Sequence, residues 1–387
     1  MWIASLLLLF AAYEDNYRAG LRALSQNNLE EARLNLESAS QSAPGNSRVW
    51  IALAQTYWKL HDLGKANEAA EKAERFANEE APILRLVAFY YSESGQPVKS
   101  CDMQTLYALT PSADSDAPRR AIECYLQAQA PERAFEAAAR AGKNWEKRAD
   151  VRIALAKACV QLQDWKKAGE EFQVAIRLNP YEESYRFEYA NSLLQRQRFE
   201  DAALVLEDAK KVFAKSPQIE IALGAAYYGL RRFPDAAASF QRTIALDPDV
   251  EQPYLFLGKM LDQIPEQAKQ RLIPLFEAYE KSHPESYAGY FVHAKALAGK
   301  PSEAEALFRK AIALNGGAAD PHYEFGILLE RTGRFQDAAK EFRAAAERSP
   351  NDPATHYHLA RLYDRLGEPE LAIAARERHK KLMDSSQ

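Results

Sequence analysis

Three histidines near the C-terminus have the residue type, and partly the spacing, that a metal site would need. His356 lies 34 residues after His322, a spacing at which this sequence repeats, and His358 follows two positions later. Residues two apart on a helix face different directions, so His356 and His358 would not share a ligand. Zinc usually takes three or four protein ligands. We therefore expect no metal site here.

The sequence motifs of common catalytic and cofactor sites are missing from this chain. Neither G-x-G-x-x-G nor G-x-x-x-x-G-K-[ST] occurs, so no phosphate-binding loop is predicted. C-x-x-C, H-E-x-x-H and G-x-S-x-G are absent as well. The carboxylates scatter over what would be exposed helix faces. We expect a non-enzymatic protein without a cofactor or small-molecule substrate; an enzyme with an unrecognised site is kept as an alternative.

The overall charge argues against a nucleic-acid partner. The chain carries 50 Lys and Arg against 54 Asp and Glu, a formal charge of −4. Proteins that bind nucleic acid usually carry an excess of basic residues. Apolar residues make up 47% and charged residues 27%, values typical of a folded soluble protein. The expected partner is therefore another protein.

An internal repeat shows which elements must position the side chains. Gly224–Pro248 and Gly326–Pro350 carry Gly, R-F-x-D-A-A, Phe and Pro at the same offsets, and they begin three periods of 34 residues apart. Stepping by 34 from Gly224 reaches eleven positions, nine of them Gly or Ala, which we call the phase positions. They are Gly20, Ala54, Ala88, Ile122, Ala156, Ala190, Gly224, Gly258, Val292, Gly326 and Ala360.

The spacing within one period predicts two helices. Positions 12, 16 and 19 after the phase position hold a small, a large and a small apolar residue, as in Ala236, Phe240 and their equivalents. Offsets that differ by four and three form one helical stripe. A proline 24 after the phase position, as at Pro248, ends that helix because it lacks an N–H. One such pair cannot bury its own apolar face, so the units must stack.

This pattern resembles the tetratricopeptide repeat family, most closely in Ala156–Pro180, Gly224–Pro248 and Gly326–Pro350. The resemblance implies an all-α, right-handed α-solenoid of about eleven helix-turn-helix repeats. The match is weakest over residues 81–148, and Pro265 and Pro274 predict a longer or kinked second helix in an irregular unit at 251–318. Arg376 and His379 occupy apolar positions of the last unit, 353–386, so we expect it to cap the array.

The resemblance also implies a concave groove, lined by the first helix of each unit, that takes a peptide or helix of a partner protein. The groove-facing positions lie three before and one after the phase position. The candidate groove residues are Tyr17, Gln55, Lys157, Phe187, Asn191, Ile221, Leu255, Lys259, Tyr323, Tyr357 and Arg361. Aromatic anchors beside cations predict a partner segment with apolar side chains and some acidic character. Lys157 and Asn191, one period apart, resemble part of a carboxylate clamp whose other residues are absent.

The first twelve residues, MWIASLLLLFAA, differ from the repeat array at 13–386. A membrane span needs about 20 apolar residues, so this run is too short. Its length suits the apolar region of a signal peptide, although the basic region before it is missing. We expect a cleaved leader; the alternative is an apolar extension that covers the first helix. Membrane contact is expected only through the uncleaved leader.

The three cysteines do not decide the compartment. Cys101, Cys124 and Cys159 cannot make a framework of several disulfides. Three cysteines are compatible with a protein in a reducing compartment, and equally with an exported protein whose thiols are buried.

The sequence therefore predicts a protein–protein interaction scaffold. If the leader is cleaved, we expect the protein to be exported to the periplasm or cell envelope. There it would serve in bacterial cell-envelope or secretion assembly. The alternative is a cytoplasmic adaptor or co-chaperone-like regulator.

Overall fold

The computed structural model describes the backbone of residues 2–385 and the side chains of residues 13–385. All regular elements of this described backbone are helices. The chain divides into two compact units, residues 1–186 and 187–387, and the division falls within one helix.

The first unit contains α1 (Trp2–Ser25), α2 (Leu29–Ser42), α3 (Ser47–Lys59), α4 (Leu63–Arg75), α5 (Ala81–Glu93), α6 (Pro97–Ala108), α7 (Ala117–Gln127), α8 (Pro131–Ala141), α9 (Lys143–Glu146), α10 (Ala149–Gln161) and α11 (Trp165–Leu178). The division falls in α12 (Glu183–Gln195). The second unit continues with α13 (Phe199–Val212), α14 (Pro217–Gly229), α15 (Phe233–Leu246), α16 (Gln252–Met260), a 3-10 turn (Leu261–Gln263), α17 (Glu266–Ser282), α18 (Tyr287–Ala296), α19 (Pro301–Leu314), α20 (Ala319–Arg331), α21 (Phe335–Arg348), α22 (Pro353–Leu366) and α23 (Pro369–Asp384).

Consecutive helices pack on each other as pairs within each unit. In the first unit these include α1 with α2, α3 with α4, α5 with α6, α7 with α8 and α10 with α11; in the second they include α14 with α15, α18 with α19, α20 with α21 and α22 with α23. Apart from the four-residue α9, the helices of the described backbone alternate as first and second members of eleven pairs. The predicted all-α solenoid class is confirmed.

The repeat positions become the core of each pair. All eleven phase positions are buried. Gly224 shows why they are small: a Cβ at this residue would lie 2.6 Å from the ring of Phe240, sixteen positions later on the second helix. Gly326 meets Phe342 in the same way, at 3.0 Å. A small residue on the first helix and a large one on the second therefore fill one space.

The turn inside each pair has a backbone requirement that the sequence pattern did not reveal. Seven residues after the phase position, nine of the eleven turns place a residue at positive φ. These residues are Asn27, His61, Gly95, Gln129, Gln163, Gln197, Arg231, Gly333 and Gly367. Six of them are not glycine, so the pattern of residue types alone hides this shared left-handed turn.

A proline at that turn position accounts for the irregular unit. Pro265 stands seven residues after Gly258 and has φ −58°, because its ring prevents positive φ. In this unit the first helix, α16, is short, and α17 runs for 17 residues with Pro274 inside it. Gln270, which stands where other units bury a small residue, is exposed. The changed turn thus shifts the second helix out of the repeat register.

Tyrosines three residues after the phase position link neighbouring pairs. The hydroxyl of Tyr57 donates to Glu37 of the preceding pair at 2.6 Å, and Tyr227 donates to Glu207 at 2.7 Å. Tyr91 and Tyr125 make equivalent bonds to the carboxylates of Glu74 and Asp102. Each ring is buried while its hydroxyl is satisfied, as a buried tyrosine requires.

A disulfide bond joins two neighbouring pairs in the first unit. Cys101 on α6 is bonded to Cys124 on α7, with Cα atoms 5.5 Å apart, and Cys159 is a buried free thiol. The sequence left open whether any of the three cysteines pair, and the structure pairs two of them. Stacking places the second helix of one pair beside the first helix of the next, which the sequence spacing of the cysteines does not show.

The predicted leader at residues 1–12 has side chains outside the described part of the chain. The backbone of residues 2–12 forms the first part of α1, which runs from Trp2 to Ser25. Among the described residues, we find no helix whose length and apolar character would let it cross a membrane. The signal peptide stays a prediction.

Candidate binding groove

A cavity of about 530 Å³ opens along the second unit. Side chains from α14, α16, α18, α20 and α22, the first helices of five successive pairs, contribute to its walls. The lining includes Tyr228, Lys259, Phe291, Lys295, Asp320, Tyr323, Glu324, Ala354 and Thr355, with Asp352 at the start of α22. Ala345 and Ser349, at the end of the second helix α21, complete the lining, so successive pairs of the second unit build this groove together.

Two of the candidate groove residues, Lys259 and Tyr323, line this cavity. Lys259 is exposed, and Tyr323 is half-buried with its ring 5.5 Å from that of Phe342. Burial, with the nearby charge of Glu324, raises the pKa of Tyr323 to about 12. Its hydroxyl is therefore protonated at neutral pH and can donate a hydrogen bond to a ligand.

A buried ion cluster forms another part of the cavity wall. The Nζ atom of Lys295 lies 2.5 Å from Glu324 and 3.0 Å from Asp262. The exposed fraction of the side chain is 9% for Lys295 and 17% for Glu324. Burial alone would lower the pKa of Lys295, but the charge and hydrogen bonds of Glu324 and then Asp262 outweigh this effect and raise it. The lysine is thus charged, and its charge is already matched by protein carboxylates.

The charge of this cavity differs from the sequence-based expectation. Its lining contains two lysines, Lys259 and Lys295, against the carboxylates of Asp320, Glu324 and Asp352. Lys295 and Glu324 pair with each other within the wall, which leaves Lys259 against Asp320 and Asp352 and a small excess of negative charge. This lining does not favour an acidic partner segment, and the character of the partner stays a prediction.

Sequence reasoning missed Lys295, although a signal was available. Lys295 stands three residues after the phase position Val292. The same offset holds Tyr57, Tyr91, Tyr125, Tyr227 and Leu329 in other units, and all five are buried. A lysine among apolar residues at one repeat position indicates a local change of environment.

An aromatic surface extends from the cavity towards the last pair. The ring of His358 lies 5.8 Å from both Tyr323 and Tyr357. Tyr357 is 47% exposed, and the guanidinium of Arg361 lies 5.6 Å from its ring centroid. Arg361 is also 3.6 Å from Glu330. Tyr323, Tyr357 and Arg361 therefore lie within one connected cluster.

The other candidate groove residues lie elsewhere. In the second unit, Phe187, Ile221 and Leu255 are partly buried against the core, and Asn191 is half-buried on α12. In the first unit, Tyr17 stacks on Tyr13 with ring centroids 6.1 Å apart, while Gln55 and Lys157 are half-buried on α3 and α10. Partner binding by these residues stays a prediction.

The histidines considered for a metal each have a protein partner. The Nδ1 atom of His322 lies 2.7 Å from Glu341, and that of His358 lies 2.8 Å from Glu330. Nε2 of His356 lies 3.2 Å from the Pro350 carbonyl oxygen. Within the described residues, no group of three or more His, Cys, Asp or Glu could hold a metal ion.

Sequence comparisons match this repeat architecture. A family model described as tetratricopeptide repeat matches residues 187–251 and 323–382, and a second model with that description matches residues 23–88. Anaphase-promoting complex subunit 3 of Schizosaccharomyces pombe is 23% identical over 226 residues, covering 58% of this chain. The chain spans only 29% of that relative's length.

Two solved structures align with most of this chain. The Cut9–Hcn1 hetero-tetramer of APC/C is 14% identical, with a TM-score of 0.43 and coverage of 96% of this chain and 87% of the other. Yeast Tom70 is 16% identical, with a TM-score of 0.43 and coverage of 97% and 92%. The matching family models, taken with the 34-residue helix pairs, show that this chain belongs to the tetratricopeptide repeat family and is, in general terms, a protein–protein interaction scaffold.

Proposed function

We propose that the second unit captures a segment of a partner protein in the cavity lined by Lys259 and Tyr323. The observation that carries this proposal is that these two residues, selected only by their repeat position, line the same cavity of about 530 Å³. The exposed ring of Tyr357 extends that surface beyond the cavity. Partly exposed aromatic rings are frequent anchors in protein interfaces.

The lining defines the chemistry of the partner segment. Tyr228 and Tyr323 offer apolar ring surface, and the hydroxyl of Tyr323 is a hydrogen-bond donor. Asp320 and Asp352 place negative charge at the same cavity. The segment should therefore carry a large apolar side chain together with a basic group, since complementary charge favours association.

Photo-crosslinking from the cavity tests this assignment. Ala354 is exposed and lines the cavity, whereas Ala374 is exposed on α23 and supplies a matched control position. A photoreactive residue at position 354 should crosslink a discrete partner segment in source cells, and one at position 374 should not. Mass spectrometry of the crosslinked peptide would identify that segment.

Charge reversal then tests the groove with the purified segment. Asp320→Lys should weaken binding about tenfold or more because it places a cation beside a basic ligand. Glu347→Lys, at an exposed residue of α21, makes the same change in net charge outside the cavity lining. Equal weakening by both variants, or equal crosslinking from positions 354 and 374, would contradict the groove assignment.

We propose further that the protein is exported and serves a bacterial cell-envelope or secretion assembly. The apolar run at residues 1–12 supports export, and so does the Cys101–Cys124 disulfide. Disulfides persist in oxidising compartments and are rare in the cytosol. The competing proposal is a cytoplasmic adaptor, in which this bond would be reduced.

Thiol counting on protein from source cells separates the two compartments. Burial raises the pKa of the Cys159 thiol to about 11, so little reactive thiolate forms at about pH 8. An exported protein should show no reactive thiol when folded, one after denaturation and all three after denaturation with reduction. Three thiols after denaturation alone would favour the cytoplasmic adaptor. A mature N-terminus that begins after residue 12 would independently establish cleavage.

A further inference from the structure

The first unit contains a cavity that the candidate groove residues do not include. It has a volume of about 550 Å³ and lies among α5, α6 and α7. Arg85 and Phe89 line it from α5, Gln104 and Tyr107 from α6, and Arg120 from α7. It falls within residues 81–148, where the repeat pattern is weakest.

Two residues of this cavity stand at the repeat positions predicted to face the groove. Arg85 stands three residues before the phase position Ala88, and Phe89 stands one after it. These are the offsets that would face the groove in every unit. Phe89 is 61% exposed, and Arg85 is exposed as well. A phenylalanine exposed beside a cation at such positions offers an anchor for an incoming side chain.

The charge of this cavity is opposite to that of the second-unit groove. Its lining contains two arginines and no carboxylate. Among the described residues, Arg85 makes no ion pair within 4.0 Å, and its guanidinium lies 5.7 Å from the ring centroid of Tyr107. One nitrogen of Arg120 bonds both carboxylate oxygens of Asp114, at 2.8 and 2.7 Å. Asp114 therefore matches the charge of Arg120, and Arg85 supplies the unpaired positive charge of the cavity. The other two nitrogens of the Arg120 guanidinium have no bond to a described residue and can still donate hydrogen bonds to an anionic ligand.

The walls of the cavity are held together before any ligand binds. The Cys101–Cys124 disulfide joins α6 to α7, and Nε2 of Gln104 lies 3.3 Å from Cys124 Sγ. The side-chain carbonyl of Gln104 accepts no hydrogen bond from the described residues, whereas its Nε2 is engaged, so this oxygen can accept a hydrogen bond from a peptide N–H. A preformed wall reduces the entropy that binding must remove.

We infer that this cavity is a second docking site and that it takes an acidic peptide segment with a large apolar side chain. The apolar side chain packs on Phe89 beside Ala88 and Ala117, and the carboxylates face Arg85 and Arg120. The inference does not depend on the second-unit groove, because its residues, helices and ligand charge are different. A scaffold with two grooves of opposite charge selects two different partner segments.

Peptide selection on the purified full-length chain tests the site without a known partner. Random displayed peptides are selected on the wild-type chain after removal of those that bind an Arg85→Glu, Phe89→Ala variant. The enriched peptides should combine Asp or Glu with Phe, Trp, Tyr or Leu. The best peptide is then labelled, and its binding is measured by fluorescence anisotropy.

The single variants should separate the two contacts. Arg85→Glu and Phe89→Ala should each weaken the selected peptide about tenfold or more, and higher salt should weaken wild-type binding. Lys99→Glu, at a partly exposed cation on α6, makes the same charge reversal as Arg85→Glu, and Leu86→Ala removes an exposed apolar side chain on α5; both are matched controls that should leave binding unchanged.

Three results would overturn the inference. They are enrichment of basic peptides, equal binding to Arg85→Glu and wild type, and the absence of any peptide that prefers wild type over the double variant. Because Arg85 and Phe89 are exposed, circular dichroism of the variants should match wild type. If position 354 of the second unit crosslinks no partner but the selected peptide still binds the first unit, the proposed function is refuted and this inference is not.

Discussion

Phe240→Ala should lower the free energy of unfolding of the second unit by about 3–5 kcal/mol. Phe240 is fully buried, and its ring stacks on Phe256 of α16 with centroids 4.8 Å apart. It also covers the bare Cα of Gly224 on α14. Truncation would open a cavity between two successive pairs, and Gly224 has no side chain to fill it. Chemical denaturation, with hydrogen exchange in α14–α16, would measure the loss.

A double-mutant cycle tests whether Gly224 and Phe240 fill the same space. Gly224→Ala should destabilise the wild-type chain, because the new Cβ lies 2.6 Å from the Phe240 ring. In the Phe240→Ala background that clash is gone, so Gly224→Ala should be neutral or stabilising. Leu246→Ala, at a partly exposed residue of α15, is the control and should change stability by less than about 1 kcal/mol. Additive effects of the Gly224 and Phe240 substitutions would show that the two sites do not share this space.

Reduction of the Cys101–Cys124 bond should lower the free energy of unfolding of the first unit by about 3 kcal/mol. The two cysteines are 23 residues apart, so the bond restricts a loop of that length in the unfolded chain. Amides of α6 and α7 should then exchange faster, since the bond joins these two helices. Hydrogen exchange with and without reductant would measure the effect on the same chain.

Two cysteine variants control for other effects of the reductant. Cys159→Ala keeps the disulfide, so its reductant sensitivity should match that of wild type. The double variant Cys101→Ala, Cys124→Ala should resemble the reduced chain and should not respond to reductant. Equal stability of the oxidised and reduced wild-type chain would contradict a structural contribution from this bond.

The irregular unit shows how far the repeat pattern could be interpreted. Pro265 and Pro274 indicated a departure from the repeat and a longer or kinked second helix. They did not indicate the cause, because the left-handed turn seven residues after the phase position is usually occupied by residues other than glycine. Only the backbone angles at Gln163, Arg231 and their equivalents show why Pro265 disrupts it.

The candidate groove illustrates a second limit. Repeat offsets selected Lys259 and Tyr323, which do line one cavity, and the same offsets contain Arg85 and Phe89 in a weakly matching unit. Charge could not be assigned from those offsets, since the negative charge of the second-unit groove comes from Asp320 and Asp352 at other repeat positions. The pairing of Lys295 with Glu324 and Asp262 depends on helices that meet only after folding.

The amino-acid sequence by itself determined the family, the helix pairs and the residues at their centres. This was possible because packing within a pair joins positions at constant spacing, such as Gly224 and Phe240, and the spacing recurs every 34 residues. Only the tertiary structure decided which cysteines bond, which cations are already neutralised and what charge each groove presents. These properties arise between helices of neighbouring pairs, where side chains differ from unit to unit and no fixed spacing records their contacts.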